Sequence, residues 1–183
     1  PRADTTLRLS WGQRSQPQRP DELQATDGER EFHAVQTATQ TVGAIEHHLS
    51  NDVSLRIEAF DKRMGSVQPG YENLLDPVTL LPEIEVDRVR VAPLSSRAYG
   101  AELSMRWEPR RTWSAWLSYS WSEVTDRFAD SRALRTWDQR HAAVTGVSWT
   151  RGSWQLSGNA IWHNGWRQNS LVVEAAPGGG ARL

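Results

Sequence analysis

Cysteine is absent from the 183 residues, and lysine occurs once, at Lys62. Without a thiol the chain has no disulfide, no iron–sulfur cluster and no thiolate nucleophile. Phenylalanine and tyrosine are scarce, with three of each, whereas tryptophan occurs ten times. No apolar run approaches the roughly 18 residues that a membrane-crossing helix needs. The 21 basic residues, nearly all arginine, are scattered among 22 acidic ones. That leaves no basic stripe of the kind that tracks nucleic acid.

What the sequence does have is alternation. In Trp113–Ser122, Trp113, Ala115, Leu117, Tyr119 and Trp121 fall on one parity, and serines fill the other except at Trp116. Successive strand residues point to opposite faces, so such a strand has one apolar and one wet face. Six more stretches read the same way. Leu7, Leu9 and Trp11 oppose Arg8 and Ser10; Val35 to Ile45 oppose Gln36, Gln40 and Glu46. Val53, Leu55, Ile57 and Ala59 oppose Arg56 and Glu58, with Phe60 as an exception. Tyr99, Leu103, Met105 and Trp107 oppose Glu102 and Arg106, and Trp154, Leu156 and Trp162 oppose Gln155 and Ser157. For the stretch 138–150 the parity is ambiguous; Ala143, Thr145, Val147 and Trp149 are taken as the apolar set. Strands are expected near 5–13, 33–48, 53–64, 97–107, 113–125, 138–150 and 154–164.

No charge falls on the apolar parity of the central segments. A guanidinium or ammonium at a bilayer midplane costs about 2–4 kcal/mol, so the absence suits a lipid-facing surface, as it would suit a buried one. Tryptophan spacing separates the two. Trp113 and Trp121 are eight residues apart, and so are Trp154 and Trp162. Eight residues span roughly 26 Å along a strand, or about 20 Å of height once tilted, close to the apolar band and aromatic girdles of an outer-membrane barrel. Aromatic rings with one polar edge settle at headgroup level. Trp11, Trp107, Trp113, Trp121, Trp149, Trp154 and Trp162 are the girdle candidates. Arg8, Gln40, Arg56, Glu58, Glu102 and Arg106, on the other parity, are the candidates for lining a wet lumen.

The links alternate in length. Leu49–Asp52, Glu108–Thr112 and Arg151–Ser153 are short; Arg14–Phe32, Gly65–Ser96, Asp126–Trp137 and the stretch from Gly165 are long. Outer-membrane barrels pair tight periplasmic turns with long extracellular loops. The fold expected is all-β, an antiparallel up-and-down meander of about seven strands. Seven is odd, bacterial single-chain barrels use even counts, Pro1 is an unusual start, and no signal-peptide pattern is legible. The chain is therefore expected to be an internal or terminal piece of a larger transmembrane barrel.

Catalytic patterns are weak. His47 and His48 are adjacent on a strand and point to opposite faces, a poor chelating pair. No G-x-S-x-G elbow is present. Gly178–Gly180 lacks the lysine and helix of a phosphate loop and reads as a tail. Arg110 and Arg111 sit in a short turn, where they are solvated or touch anionic headgroups. No catalytic residue, metal site or cofactor is assigned.

Four motifs carry a resemblance. Leu7-Arg8-Leu9-Ser10-Trp11-Gly12 followed by Arg19-Pro20-Asp21-Glu22-Leu23 looks like an up-strand and its extracellular element in TonB-dependent outer-membrane receptors. The long strand, tight turn and return strand of that family look like Glu31–His48, Leu49–Asp52 and Val53–Met64. Tyr99-Gly100-Ala101-Glu102-Leu103 resembles its strand start after a long loop, and Asp138-Gln139-Arg140-His141 resembles its strand entry. The order matches across about residues 5–170. The resemblance implies a 22-stranded barrel whose N-terminal plug is absent from this chain. It implies energy-coupled uptake of a scarce ligand of the siderophore, cofactor or oligosaccharide type. The implied partners are outer-membrane lipid, the protein's own plug, the inner-membrane TonB complex and a small-molecule ligand. Two other readings compete: a soluble, Trp-rich β-sandwich that binds carbohydrate, and a hydrolytic outer-membrane barrel, for which Ser, His and an acid would have to share one face near a rim.

Overall fold

A computed structural model describes residues 4–73, 84, 87–110, 112–135, 138–165, 174–175 and 181–182. These form strands joined by turns, with two single-turn 3-10 helices at Pro20–Glu22 and Ala25–Asp27. The strands in chain order are β1 (Thr5–Gln16), β2 (Gln36–His48), β3 (Val53–Gly65), β4 (Gly70–Asn73), β5 (Arg88–Val91), β6 (Ser95–Arg110) and β7 (Trp113–Arg127). They continue with β8 (Arg132–Leu134), β9 (His141–Arg151), β10 (Trp154–His163), β11 (Glu174–Ala175) and β12 (Ala181–Arg182). No helix among the described residues is long and apolar enough to cross a membrane, which says nothing about strands.

The main sheet runs β1-β2-β3-β6-β7-β9-β10, with β8 hydrogen-bonded to the far end of β7. Every neighbouring pair is antiparallel. The fold is thus an all-β, up-and-down sheet of seven long strands. β4 and β5 make a separate hairpin inside the long link between β3 and β6.

The tight connections have local causes. Gly152 takes φ +59 between β9 and β10, a left-handed conformation open to glycine at no steric cost. Pro109 cannot donate to the ladder, and the register of β6 against β7 slips between Trp107 and Arg110 at that point. In the β2–β3 link the Ser50 hydroxyl accepts from the Asp52 N–H at 3.2 Å.

Observed bounds differ from the expected ones at the long-loop ends. β1 runs on to Gln16, β6 begins at Ser95 and β7 reaches Arg127, whereas β2 begins only at Gln36 and β9 only at His141. The added residues (Arg14, Ser95, Ser96, Asp126 and Arg127 among them) are mostly polar on both parities, so no alternation announces them. The glycine tail, Arg111 and residues 136–137 lie outside the described residues.

A single layer of sheet leaves little interior. Among the described residues Met64 is the only buried large hydrophobic side chain. Leu7, Leu9 and Trp154 are 75%, 82% and 72% exposed.

Candidate functional site

Antiparallel partners share a face, so the registers sort every side chain of the sheet. One face carries Leu7, Ile45, Ile57, Leu103, Tyr119, Ala143 and Trp162 in a single row across seven strands. The next row toward the short turns holds Thr5, His47, Leu55, Met105, Leu117, Thr145 and Ala160. All seven tryptophans singled out as girdle candidates lie on this face. The ambiguous strand resolves the same way, because Ala143, Thr145, Val147 and Trp149 pair with Tyr119, Leu117, Ala115 and Trp113.

Between the Val53–Trp107 row and the Leu9–Trp121 row this face holds no Asp, Glu, Lys or Arg. Charge returns one row beyond, with Asp61 and Glu123 flanking Tyr99, and then with Arg63 and Arg97. The aromatic residues support each other within the sheet. Tyr99 meets Trp121 edge-on at 5.8 Å between centroids, and Trp113 lies 6.3 Å from Trp149.

The aromatic margins of this face are inclined to the strands. Trp162 is level with Ala143, Tyr119 and Leu103, yet the aromatic residue on β6 is Tyr99, four residues nearer the long loops. At the other margin Trp107 is level with Ala115, Val147 and Gly158, four residues along β10 from Trp154. Both margins therefore climb by the same amount over three strand-to-strand steps. A climb of about 13 Å over a lateral distance of about 14 Å is an inclination of roughly 40°. The separation stays constant along the way: Trp154–Trp162, His141–Trp149, Trp113–Trp121 and Tyr99–Trp107 are each eight residues apart. Trp11 on β1 is level with Thr41, Asp61 and Tyr99, so aromatic landmarks follow the incline over β6 to β10 only.

The opposite face carries Arg8, Gln40, Arg56, Glu58, Glu102 and Arg106, all six lumen candidates. Arg8, Ala44, Glu58, Glu102 and Ser120 form one row. Glu58 and Glu102 are directly opposed, a like-charge pair, and the Arg56 guanidinium bonds Glu58. Arg8 lies 3.3 Å from Glu46, and Arg106 donates to Glu108 at 2.8 Å. Gln40 and Lys62 are paired in register. The two aromatic exceptions to the alternation sit here, each opposite a glycine: Phe60 across from Gly100, and Trp116 across from Gly146. A Cβ on Gly146 would come 2.5 Å from Trp116 Nε1. The indole thus lies over the glycine, which removes the puzzle of a tryptophan among serines.

His47 and His48 fall on opposite faces, beside Leu55 and Ser54. His47 Nδ1 is 2.7 Å from the Thr5 hydroxyl oxygen, and His48 is 4.0 Å from Glu46. They share no site.

At the long-link end the chain builds a polar core that the sequence did not announce. The carboxylate of buried Asp126 accepts from Arg135 Nε and Nη2 at 2.9 and 2.7 Å and from the Ser96 hydroxyl. The same Nη2 reaches Ser96 Oγ at 2.8 Å. Arg135 is held charged above its ordinary range, chiefly by these bonds to Asp126. Asp138 accepts from the Val124 N–H at 3.0 Å, Arg140 bonds Glu123, and the Tyr119 hydroxyl lies 2.7 Å from His141 Nδ1. Three members of the Asp138–His141 stretch therefore clamp the entry of β9 onto β7. In the β1–β2 link, the Arg19 N–H and Nε both donate to Glu22, at 2.9 and 3.1 Å, and close the Pro20–Glu22 turn.

Two loops also grip each other. Arg88 of β5 makes a two-pronged bond to Asp27 at 2.6 and 2.7 Å and stands over the Tyr71 ring at 5.5 Å. The hydrogen bond from Arg88 pulls the Asp27 pKa below the ordinary carboxylate value. Glu29, which is 2.9 Å from His33 of its own link, lies 3.9 Å from Arg90 of β5. Asp27 and Arg88 are 61 residues apart in sequence, and no local pattern links them.

Compared with known proteins, the chain matched no protein-family model, no curated protein and no solved structure.

Proposed function

We propose that this sheet is part of the wall of a bacterial outer-membrane β-barrel, a receptor of the TonB-dependent type that takes up a scarce small-molecule ligand with energy relayed from the inner membrane. The observation that carries the barrel reading is the inclined aromatic belt. Strands in outer-membrane barrels are tilted by about 35–45°. A bilayer is flat, so its margins must cut across tilted strands at that angle, and the two margins must stay parallel. The margins here do both. The apolar face would meet lipid, and the face with Arg8, Arg56, Glu58 and Glu102 would meet a wet interior filled in part by a plug. The receptor assignment rests on the four resembling motifs and their order. A β-sandwich needs a second sheet over the apolar face, and among the described residues none covers it.

Full-length protein reconstituted in bilayers with brominated acyl chains tests the face assignment. Trp154→Phe and Trp162→Phe should each remove part of the quenchable fluorescence, and Trp116→Phe should remove almost none. Equal quenching losses from all three would defeat the reading. Uptake is tested by deleting the full-length protein and following siderophore, cofactor and oligosaccharide import. Import unaffected by both deletion and a protonophore would refute the receptor role.

A further inference from the structure

Directly above the aromatic margin, the apolar face changes character. Tyr99 and Glu123 form one row; Arg63, Arg97, Thr125 and Leu134 form the next; Ser95, Arg127 and Arg132 form the third. These rows line an open groove of about 720 Å³. Arg63 and Arg97 share the single carboxylate of Asp61, and Glu123 is taken by Arg140. One carboxylate between two guanidiniums leaves positive charge over. Arg127 and Arg132 are exposed and, among the described residues, have no side-chain partner. The groove is strongly cationic, and it lies on the lipid-side face, away from the interior.

We propose that this groove binds the headgroup of an anionic lipid of the outer leaflet, one that carries more than one phosphate. The inference rests on the reading of the apolar face as lipid-facing. A guanidinium offers phosphate a planar fork of donors, and it sheds its hydration more readily than an ammonium. Position selects the lipid over a free phosphate. Arg97 is two residues beyond Tyr99 and Arg127 six beyond Trp121, or roughly 5 and 15 Å higher once tilted, so the arginines bracket the headgroup layer while acyl chains lie along the belt below. Tyr99 and Trp121 supply the floor on which a sugar or glycerol backbone rests. Four arginines spread over two adjacent rows match two phosphates better than one.

The test uses the full-length protein, purified in detergent and placed in phosphatidylcholine nanodiscs. These are left plain or doped with phosphatidic acid or with a bis-phosphorylated disaccharide lipid, and retained lipid is read by native mass spectrometry. The bis-phosphorylated lipid should be retained most. Arg127→Ala with Arg132→Ala should lower its retention roughly thirtyfold, about fivefold per guanidinium, while Arg8→Ala on the opposite face leaves it unchanged. Heat-modifiable mobility of each variant shows that the barrel has folded, so a loss of lipid is a loss of binding. If the protein enters nanodiscs but retains all three lipids equally, the headgroup site is wrong and the barrel reading stands. If inorganic pyrophosphate displaces the lipid at equal phosphate concentration, the groove is a soluble-phosphate site and the proposal falls. If the protein does not enter nanodiscs at all, both readings fall together.

Discussion

The two ends of the sheet are held together by different means. At the short-turn end, links of a few residues join strands whose side chains are aromatic and exposed, such as Trp107, Trp113 and Trp154. Beyond the backbone ladder, that end is fixed by the Trp113–Trp149 contact and by exposed polar pairs such as Arg106–Glu108 and Thr5–His47. At the long-link end the buried residues are, apart from Met64, polar: Asn73, Ser96, Asp126 and Asp138. Ser96 and Asp126 are bonded to each other and to Arg135, Asn73 meets Asp87 and Arg88 in the β4–β5 hairpin, and Asp138 accepts from the Val124 N–H. The contrast teaches that, among the described residues, nothing covers the apolar half, whereas the loop half buries side chains of its own. An apolar face over seven strands exceeds the few hundred Å² that soluble monomers expose.

Changes to the apolar half should have the largest effects. Leu117→Arg in the full-length protein places a guanidinium midway between Trp113 and Trp121, at about 2–4 kcal/mol, and Leu156→Arg places one two residues from Trp154, nearer the margin and at a smaller cost. Ser118→Arg, on the opposite face, places one in water. Heat-modifiable gel mobility should show assembly lost in the first two and kept in the third; three equally folded variants would show that the faces are misassigned. Consistent with a face left uncovered and edges left open at β1 and β10 among the described residues, residues 1–183 expressed alone should aggregate without detergent. A monodisperse monomer with cooperative unfolding in plain buffer would erase the contrast.

Within the loop half, Asp126→Ala leaves the Ser96 hydroxyl and the Arg135 guanidinium without their acceptor. A loss of about 1–2 kcal/mol in local stability follows, because Asp126 is buried whereas the Arg135 side chain is 37% exposed and water can take up its freed donors. It should appear as faster amide exchange at Val124–Leu134 with no change in barrel mobility. Equal exchange in variant and parent would remove the polar core from the comparison.

The Asp27–Arg88 grip should respond to acid in a defined direction. The Asp27 pKa is lowered in the folded protein. Its contribution is therefore complete above the ordinary carboxylate value of about 3.9 and is lost as pH falls through the lower folded value. Asp27→Asn should raise protease cleavage of the Arg14–Phe32 link about tenfold at neutral pH, and its cleavage rate should lose the acid-dependent step of the parent. A parent loop that opens already at pH 6 would contradict the grip.

The smallest effect concerns orientation. A tag or cysteine at Ser131 should label on intact cells and one at Gly152 should not, if the proposed barrel turns its long links outward. The reverse pattern would invert the comparison.

How far the sequence spoke depended on which half it described. Alternation was legible from Leu55 to Ala59 and from Trp113 to Trp121 because two unlike environments impose a period of two. Past Tyr99 or Trp121 both faces are wet, so the ends of β1, β6 and β7 fell beyond the pattern. Val89 and Val91 alternate with Arg88 and Arg90 in β5, yet four residues are too few to declare a strand. Pairs such as Asp27–Arg88 and Ser96–Asp126 join distant segments by register and loop length, which no local window contains. Trp116 looked like an error in the alternation until Gly146 was seen opposite it.

Lys62 stands opposite Gln40 on the face with Glu58 and Glu102, and it is the only lysine in the chain. An amine-reactive dye would thus tag these strands at one address, on the side away from the tryptophan belt, and leave every arginine untouched. Attached there, a fluorophore becomes a gauge of crowding on that face, reporting by its anisotropy whether the lumen of the proposed barrel is filled or open.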